Sequence, residues 1–81
     1  MSARAVTIYT RRGCHLCAEA EAVLHRARAD VAFDLHTVDV DTDPGLAGRY
    51  GVRVPVVAVD GVELFEFEVP ADELLRALRA T

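Results

Sequence analysis

Both cysteines of this 81-residue chain fall in one stretch, Tyr9-Thr10-Arg11-Arg12-Gly13-Cys14-His15-Leu16-Cys17. Two thiols separated by two residues can cycle between dithiol and disulfide. On a helix they lie nearly one turn apart on one face, so the sulfurs meet without the chain unfolding. The β-branched, apolar run Val6 to Thr10 predicts a buried strand, Arg11 to Gly13 a turn, and Cys14 the start of a helix that runs to about Ala29. At a helix start, unpaired backbone N–H groups and the helix dipole favour a thiolate over a thiol, and Arg11 and Arg12 add positive charge nearby. A lowered Cys14 pKa is therefore expected. His15, when protonated, is a further group that could stabilise that thiolate. The roles that follow are Cys14 as attacking thiol and Cys17 as resolving thiol.

Metal chemistry is the competing use of the same residues. A tetrahedral structural site needs four ligands, and Cys14, Cys17 and His15 have no second cluster to complete one within a monomer. The alternative is a non-enzymatic module holding a metal or an iron–sulfur cluster between two chains. Asp39, Asp41 and Asp43 are spaced like the opening of a calcium loop. Pro44 stands at its sixth position and Tyr50 at its twelfth, where Gly and Glu are required, so calcium is rejected. Asp39 and Asp41 are read as the end of a strand and Asp43 as a helix cap. His25 and His36 have no catalytic partner visible in sequence and are read as surface residues.

At 52% hydrophobic and 27% charged, the chain has the composition of one small globular domain, residues 1–81. Its apolar runs fall far short of the ~20 residues a membrane span needs. A net charge of −4 and a pI near 5.2 argue against nucleic acid or an anionic membrane as partner. Met1 to Ala5 lead into strand-like sequence with no apolar signal region, so the expected compartment is the cytosol. In a reducing compartment a single C-x-x-C beside a β-α-β pattern reads as a redox motif and not as a structural staple. All nine basic residues are arginine, and Lys, Asn, Gln and Trp are absent. GC-rich codon usage explains this better than heat adaptation, which enriches Lys as well as Glu.

The elements that must position the cysteines follow in order. In the first helix Leu16, Cys17, Ala20, Val23, Leu24 and Ala27 share a core face, and Glu19, His25, Arg26 and Arg28 face water. Phe33 to Val40 predicts a second strand, parallel to the first across the helical crossover. The parity of its apolar residues switches between Leu35 and Val38, which suggests a bulge or a change of buried face. Asp43-Pro44 starts a short helix that Gly51 stops; Gly45 and Gly48 weaken it, so Leu46, Ala47 and Tyr50 must hold it by packing. Val54 to Val59 and Val62 to Phe67 predict an antiparallel hairpin turning at Asp60-Gly61. On the returning strand Phe65 and Phe67 share one face, Glu66 and Glu68 the other. Pro70 opens the last helix, with Leu74, Leu75 and Leu78 inward.

This order, β-α-β-α-β-β-α with the cysteine pair at the carboxyl end of the first strand, resembles the glutaredoxin and thioredoxin family. The matching residues are Tyr9-Thr10-Arg11-x-x-Cys14-x-x-Cys17, Val38-Asp39-Val40-Asp41-x-Asp43-Pro44 and Tyr50-Gly51-Val52-Arg53-Val54-Pro55. The resemblance implies an α/β thioredoxin fold, a four-stranded mixed sheet with helices on both faces. It also implies thiol-disulfide oxidoreductase activity carried by Cys14 and Cys17 without a metal or other cofactor. By the same resemblance Pro55 is cis and faces the active cysteine, and Val54 offers its backbone to an extended substrate; Arg11, by its charge, is read as a further substrate-binding residue that steers an acidic partner. Length and the basic residue three before Cys14 look more like a glutaredoxin, as does Ile8 where thioredoxins bury an aspartate. Two features depart from glutaredoxins. His15-Leu16 replaces Pro-Tyr, and Phe65-Glu66-Phe67-Glu68-Val69 stands where a Gly-Gly pair and an acidic residue cradle glutathione. Protein disulfides are therefore the expected substrates, and a protein reductase such as thioredoxin reductase, in place of glutathione, the expected electron source, for a protein acting as a monomer.

Overall fold

The computed structural model describes residues 4–80; the reading of Met1 to Ala3 as a plain lead-in, and the end of the domain at Thr81, lie outside them. The opening apolar run forms β1 (Arg4–Thr10), two residues longer at its start than Val6 implied. There follow α1 (His15–Ala27), β2 (Phe33–Asp39), α2 (Pro44–Tyr50), β3 (Val56–Val59), β4 (Val62–Glu66) and α3 (Ala71–Arg79). The sheet order is β2-β1-β3-β4. β1 pairs parallel with β2 and antiparallel with β3, and β3 pairs antiparallel with β4. The two inner strands are the most apolar, and all four residues of β3 are buried.

Each face of the sheet is covered by helix. On one, Val6, Ile8, Val57 and Val59 pack with Leu24 of α1 and with Leu74 and Leu78 of α3. Truncating a fully buried leucine such as Leu24 or Leu74 to alanine costs about 2–5 kcal/mol. On the other, Val40, Tyr50 and Val56 form a smaller cluster with Tyr9, Leu46 and Val54 against it. Tyr50 stacks on Tyr9 with ring centroids 4.0 Å apart and planes 14° apart. Asp43 Oδ1 accepts from the Gly45 N–H at 2.7 Å, with Pro44 in the first turn and Gly51 at the end. Cap and ring packing together hold a helix whose glycines would not hold it.

Several details refine the sequence reading. α1 ends at Ala27, two residues early, and Leu16, counted with the core face, is 38% exposed although its neighbour Cys17 is buried. The second strand changes its buried face, as one of its two readings had it, and has no bulge: Phe33 packs in the larger cluster and Val40, just past β2, in the smaller, while the register with β1 runs unbroken from Arg4↔Phe33 to Thr10↔Asp39. Val40 is buried because the chain there enters a 3-10 turn, Val40–Thr42, where Asp39 Oδ1 accepts from the Asp41 N–H at 2.9 Å. The irregularity lies in β4 instead. Val57 pairs with Phe65 and Ala58 with Glu63, so Leu64 is an extra, bulged residue. Finally, β4 stops at Glu66, and Phe67 takes φ +68°, a left-handed conformation that costs a non-glycine residue about 1–2 kcal/mol. Phe65 packs on the core while Phe67 is 44% exposed, so they do not share a face, nor do Glu66 and Glu68 continue one strand. β3 is also shorter than read, starting after the Val54–Pro55 peptide, which is cis.

The hairpin turn is as the sequence reads. Asp60 and Gly61 have φ +51° and +86°, the mirror-image turn whose twist matches that of its strands. Asp60 also accepts from the Ala5 N–H at 2.9 Å and pairs with Arg4 at 2.9 Å, tying the hairpin to the start of β1.

Candidate active site

β1 delivers the chain to its carboxyl end at Thr10, beside the end of β2. The chain turns through Arg11, Arg12 and Gly13, the last at φ +76°, where glycine is the residue without strain. The turn closes with the Cys14 N–H donating to Arg11 O at 3.2 Å. Cys14 is the N-cap of α1, and its Sγ accepts from the Cys17 N–H at 3.1 Å. Cys14 and Cys17 are joined in a disulfide with Cα atoms 5.2 Å apart. Cys17, only 3% exposed, points into the core, whereas Cys14 is half-buried at the rim. The two sulfurs thus differ in access.

An open cleft of about 490 Å³ lies against both cysteines, walled by Arg11, Arg12, His15, Glu21 and Asp39 among others. Arg11 does not present a free charge to it. Nε and Nη2 donate to the Asp41 carboxylate at 3.0 and 2.9 Å, and Nη1 donates to Gly51 O at 3.0 Å. Those bonds to Asp41 raise the guanidinium pKa further. The residue that sequence assigns to substrate binding is thus also a brace for the turn that presents Cys14. Among the described residues Arg12 forms no ion pair, so it is the unmatched cation at this turn. His15, 89% exposed, pairs through Nε2 with Glu19 Oε2 at 2.9 Å and makes no hydrogen bond to Cys14.

Val54 and Pro55 do not line that cleft. Pro55 is buried just before β3, and its carbonyl accepts from the Phe67 N–H at 2.9 Å, joining the proline to the end of β4. Among the described residues no three His, Cys, Asp or Glu side chains converge as a metal site. Asp39 and Asp43 cap turns, and Asp41 holds Arg11. Asp41 is the site residue that sequence reasoning passed over. Its signal was available: parallel pairing of the first two strands sets their carboxyl ends side by side, which brings Asp41 within reach of Arg11.

The profile of the family described as Glutaredoxin-like domain (DUF836) matches residues 5–79. The chain belongs to that family. An uncharacterized protein of Mycobacterium tuberculosis (strain H37Rv) is 37% identical over 79 residues, covering 91% of this chain and 81% of its own. The X-ray structure of a protein from X. campestris, 38% identical, matches this glutaredoxin-like domain with a TM-score of 0.79 over 94% of this chain and 97% of that one. A mutant thioredoxin from Halobacterium salinarum matches at 24% identity with a TM-score of 0.70, over 95% of this chain and 73% of that one. The architecture of this glutaredoxin-like domain is the thioredoxin fold, with a C-x-x-C pair at the start of its first helix.

Proposed function

We propose that this domain is a thiol-disulfide oxidoreductase that reduces disulfides in other proteins. The observation that supports it best is the asymmetry of the cysteine pair. Cys14 stands accessible at a helix start with the Cys17 N–H directed at its sulfur, and Cys17 lies buried behind it. That N–H and the helix dipole favour a Cys14 thiolate in the reduced protein. The thiolate attacks one sulfur of a substrate disulfide, forming a mixed disulfide and expelling the other sulfur as a thiolate, which takes up a proton. Cys17 then loses its proton and attacks Cys14 Sγ. The Cys14–Cys17 disulfide forms, the second substrate sulfur leaves as a thiol, and two electrons have passed to the substrate. A protein reductase returns them, in a reducing compartment such as the cytosol. Val54, before the cis proline, is assigned by family likeness to the backbone of the bound substrate.

Cys14→Ser should abolish reduction of a protein disulfide, and Cys17→Ser should accumulate a covalent adduct of protein and substrate, visible by mass spectrometry and released by excess dithiol. Equal turnover by the parent and both variants defeats the mechanism.

A further inference from the structure

A second hollow, about 330 Å³, opens on a different face of α1 from the cysteine cleft. Buried Ala20 and half-buried Val23 line it, with Leu16 and Phe67 as its exposed apolar residues. Glu19 and Glu68 supply carboxylates. Leu16 is the residue immediately before Cys17, so a segment held here lies next to the reactive pair.

Phe67 is the second observation. A bulky residue held at positive φ is strained, and such strain persists where the surrounding structure enforces it, often at binding sites. Here the enforcing bonds are the Phe67 N–H to Pro55 O at 2.9 Å and the Glu68 N–H to Glu66 O at 2.8 Å. The result is an aromatic ring turned out of the strand beside Leu16. Charge supplies the third. Glu19 is paired with His15, but among the described residues no ion pair engages Glu68. The hollow is therefore an apolar surface edged by two carboxylates, of which Glu68 has neither a cation nor a histidine against it, on a chain of net charge −4.

We infer that this hollow selects the protein substrate, taking up an apolar side chain that flanks the target disulfide while a cationic residue beside it meets Glu68. The inference deepens the redox reading and rests on it. A partner segment of apolar-then-cationic character fits the hollow; an acidic segment is repelled by Glu68.

The test uses the reduced full chain and three synthetic disulfide peptides that differ only beside one cysteine, carrying Leu-Arg, Leu-Glu or Ser-Arg. A small neutral disulfide is the reference substrate. The Leu-Arg peptide should exceed Ser-Arg by roughly tenfold in kcat/KM, the effect of partly burying one aliphatic side chain. It should exceed Leu-Glu by about fivefold, the effect of one partly exposed charge pair. Ratios within each variant cancel any loss of folded protein. Phe67→Gly should collapse the Leu-Arg to Ser-Arg ratio, and Glu68→Arg should invert the Leu-Arg to Leu-Glu ratio. Equal kcat/KM for the three peptides, with the neutral disulfide still reduced, overturns this inference and leaves the redox reading standing. No reduction of any disulfide overturns both. A dimer at assay concentration that Phe67→Arg separates into monomers also overturns it, because a second copy then occupies the hollow.

Discussion

Arg11 and Asp41 are joined by a two-pronged ion pair, Nε to Oδ2 at 3.0 Å and Nη2 to Oδ1 at 2.9 Å, across 30 positions of sequence. The third arm of the same guanidinium donates to Gly51 O. The turn before Cys14 is thereby fastened to the 3-10 turn that follows β2 and to the end of α2. An ammonium group cannot reproduce this fork, so Arg11→Lys should lower the thermal midpoint nearly as much as Arg11→Ala. Asp41→Ala should do the same. Combining Arg11→Ala with Asp41→Ala should cost little more than either alone, since both remove one interaction. Strict additivity in that double-mutant cycle would show that the pair is not a brace.

Gly51 and Gly48 should respond oppositely to one substitution. A Cβ on Gly51 would lie 2.8 Å from Arg11 Nη2 and press on the Ala47 carbonyl, whereas a Cβ on Gly48 meets nothing within 4 Å. Gly51→Ala should destabilise by about 1–3 kcal/mol through overpacking. Gly48→Ala, inside α2, should stabilise by about 0.5–1 kcal/mol through helix propensity. Denaturant titration measures both, and the same sign for the two would refute the steric account.

Stability should fall at both extremes of pH through one cluster. Arg53, and after it Tyr50, hydrogen-bonds Glu63 and holds its carboxyl below the usual 4.5. A depressed carboxyl pKa means that this stabilisation is complete above 4.5 and is lost as pH falls through the folded value. Burial first, then the neighbouring Tyr9 and the hydrogen bond to Glu63, pushes the Tyr50 phenol from 10.0 to about 12. With the folded pKa raised, that contribution is complete below 10.0 and is lost as pH rises toward 12. Glu63→Gln should flatten the acid limb of stability and Tyr50→Phe the alkaline limb. Tyr50→Phe leaving the loss between pH 10 and 12 unchanged would assign it elsewhere.

The electron source can be decided in a coupled NADPH assay with thioredoxin reductase, or with glutathione and its reductase. Arg53 holds Glu66 at 3.1 Å, so of the two glutamates beside the Phe67 turn only Glu68 is left to oppose glutathione's carboxylates. The protein reductase should still recharge the disulfide faster. Glu68→Gln should improve the glutathione rate by up to about fivefold, the upper range for a partly exposed charge pair. Parent protein recharged equally fast by both sources would remove the charge argument.

The parts of this molecule that sequence disclosed are those whose chemistry is local. Val6 to Thr10, Gly13 and Cys14 spell strand, turn and helix start within nine residues. Asp43-Pro44 and Asp60-Gly61 each carry their own cap or turn geometry. What sequence hid depends on partners far along the chain. The run Val62-Glu63-Leu64-Phe65-Glu66 looks like a regular strand, but Arg53 reaches both Glu63 and Glu66, residues of opposite parity that a bulge at Leu64 brings to one face. Arg11 looked like positive charge for Cys14 because Asp41, its counter-ion, belongs to a different turn. Leu16 matched the core periodicity of α1, and only the docked helix reveals that it lines a surface hollow with Phe67 while Cys17 beside it is buried.

The Cys14–Cys17 bond spans a sequence separation of only 3. Closing so short a ring restricts the unfolded chain by about 2 kcal/mol in the chain-entropy account, less than half of what a bridge between the two ends of the domain would contribute. Most of the architecture's cohesion lies in the two apolar layers, neither of which includes a sulfur–sulfur bond. The scaffold therefore does not depend on this bond. In the proposed cycle, making and breaking the bond would change the oxidation state of one helix tip while the rest of the molecule stays assembled, so charging and discharging would need no refolding.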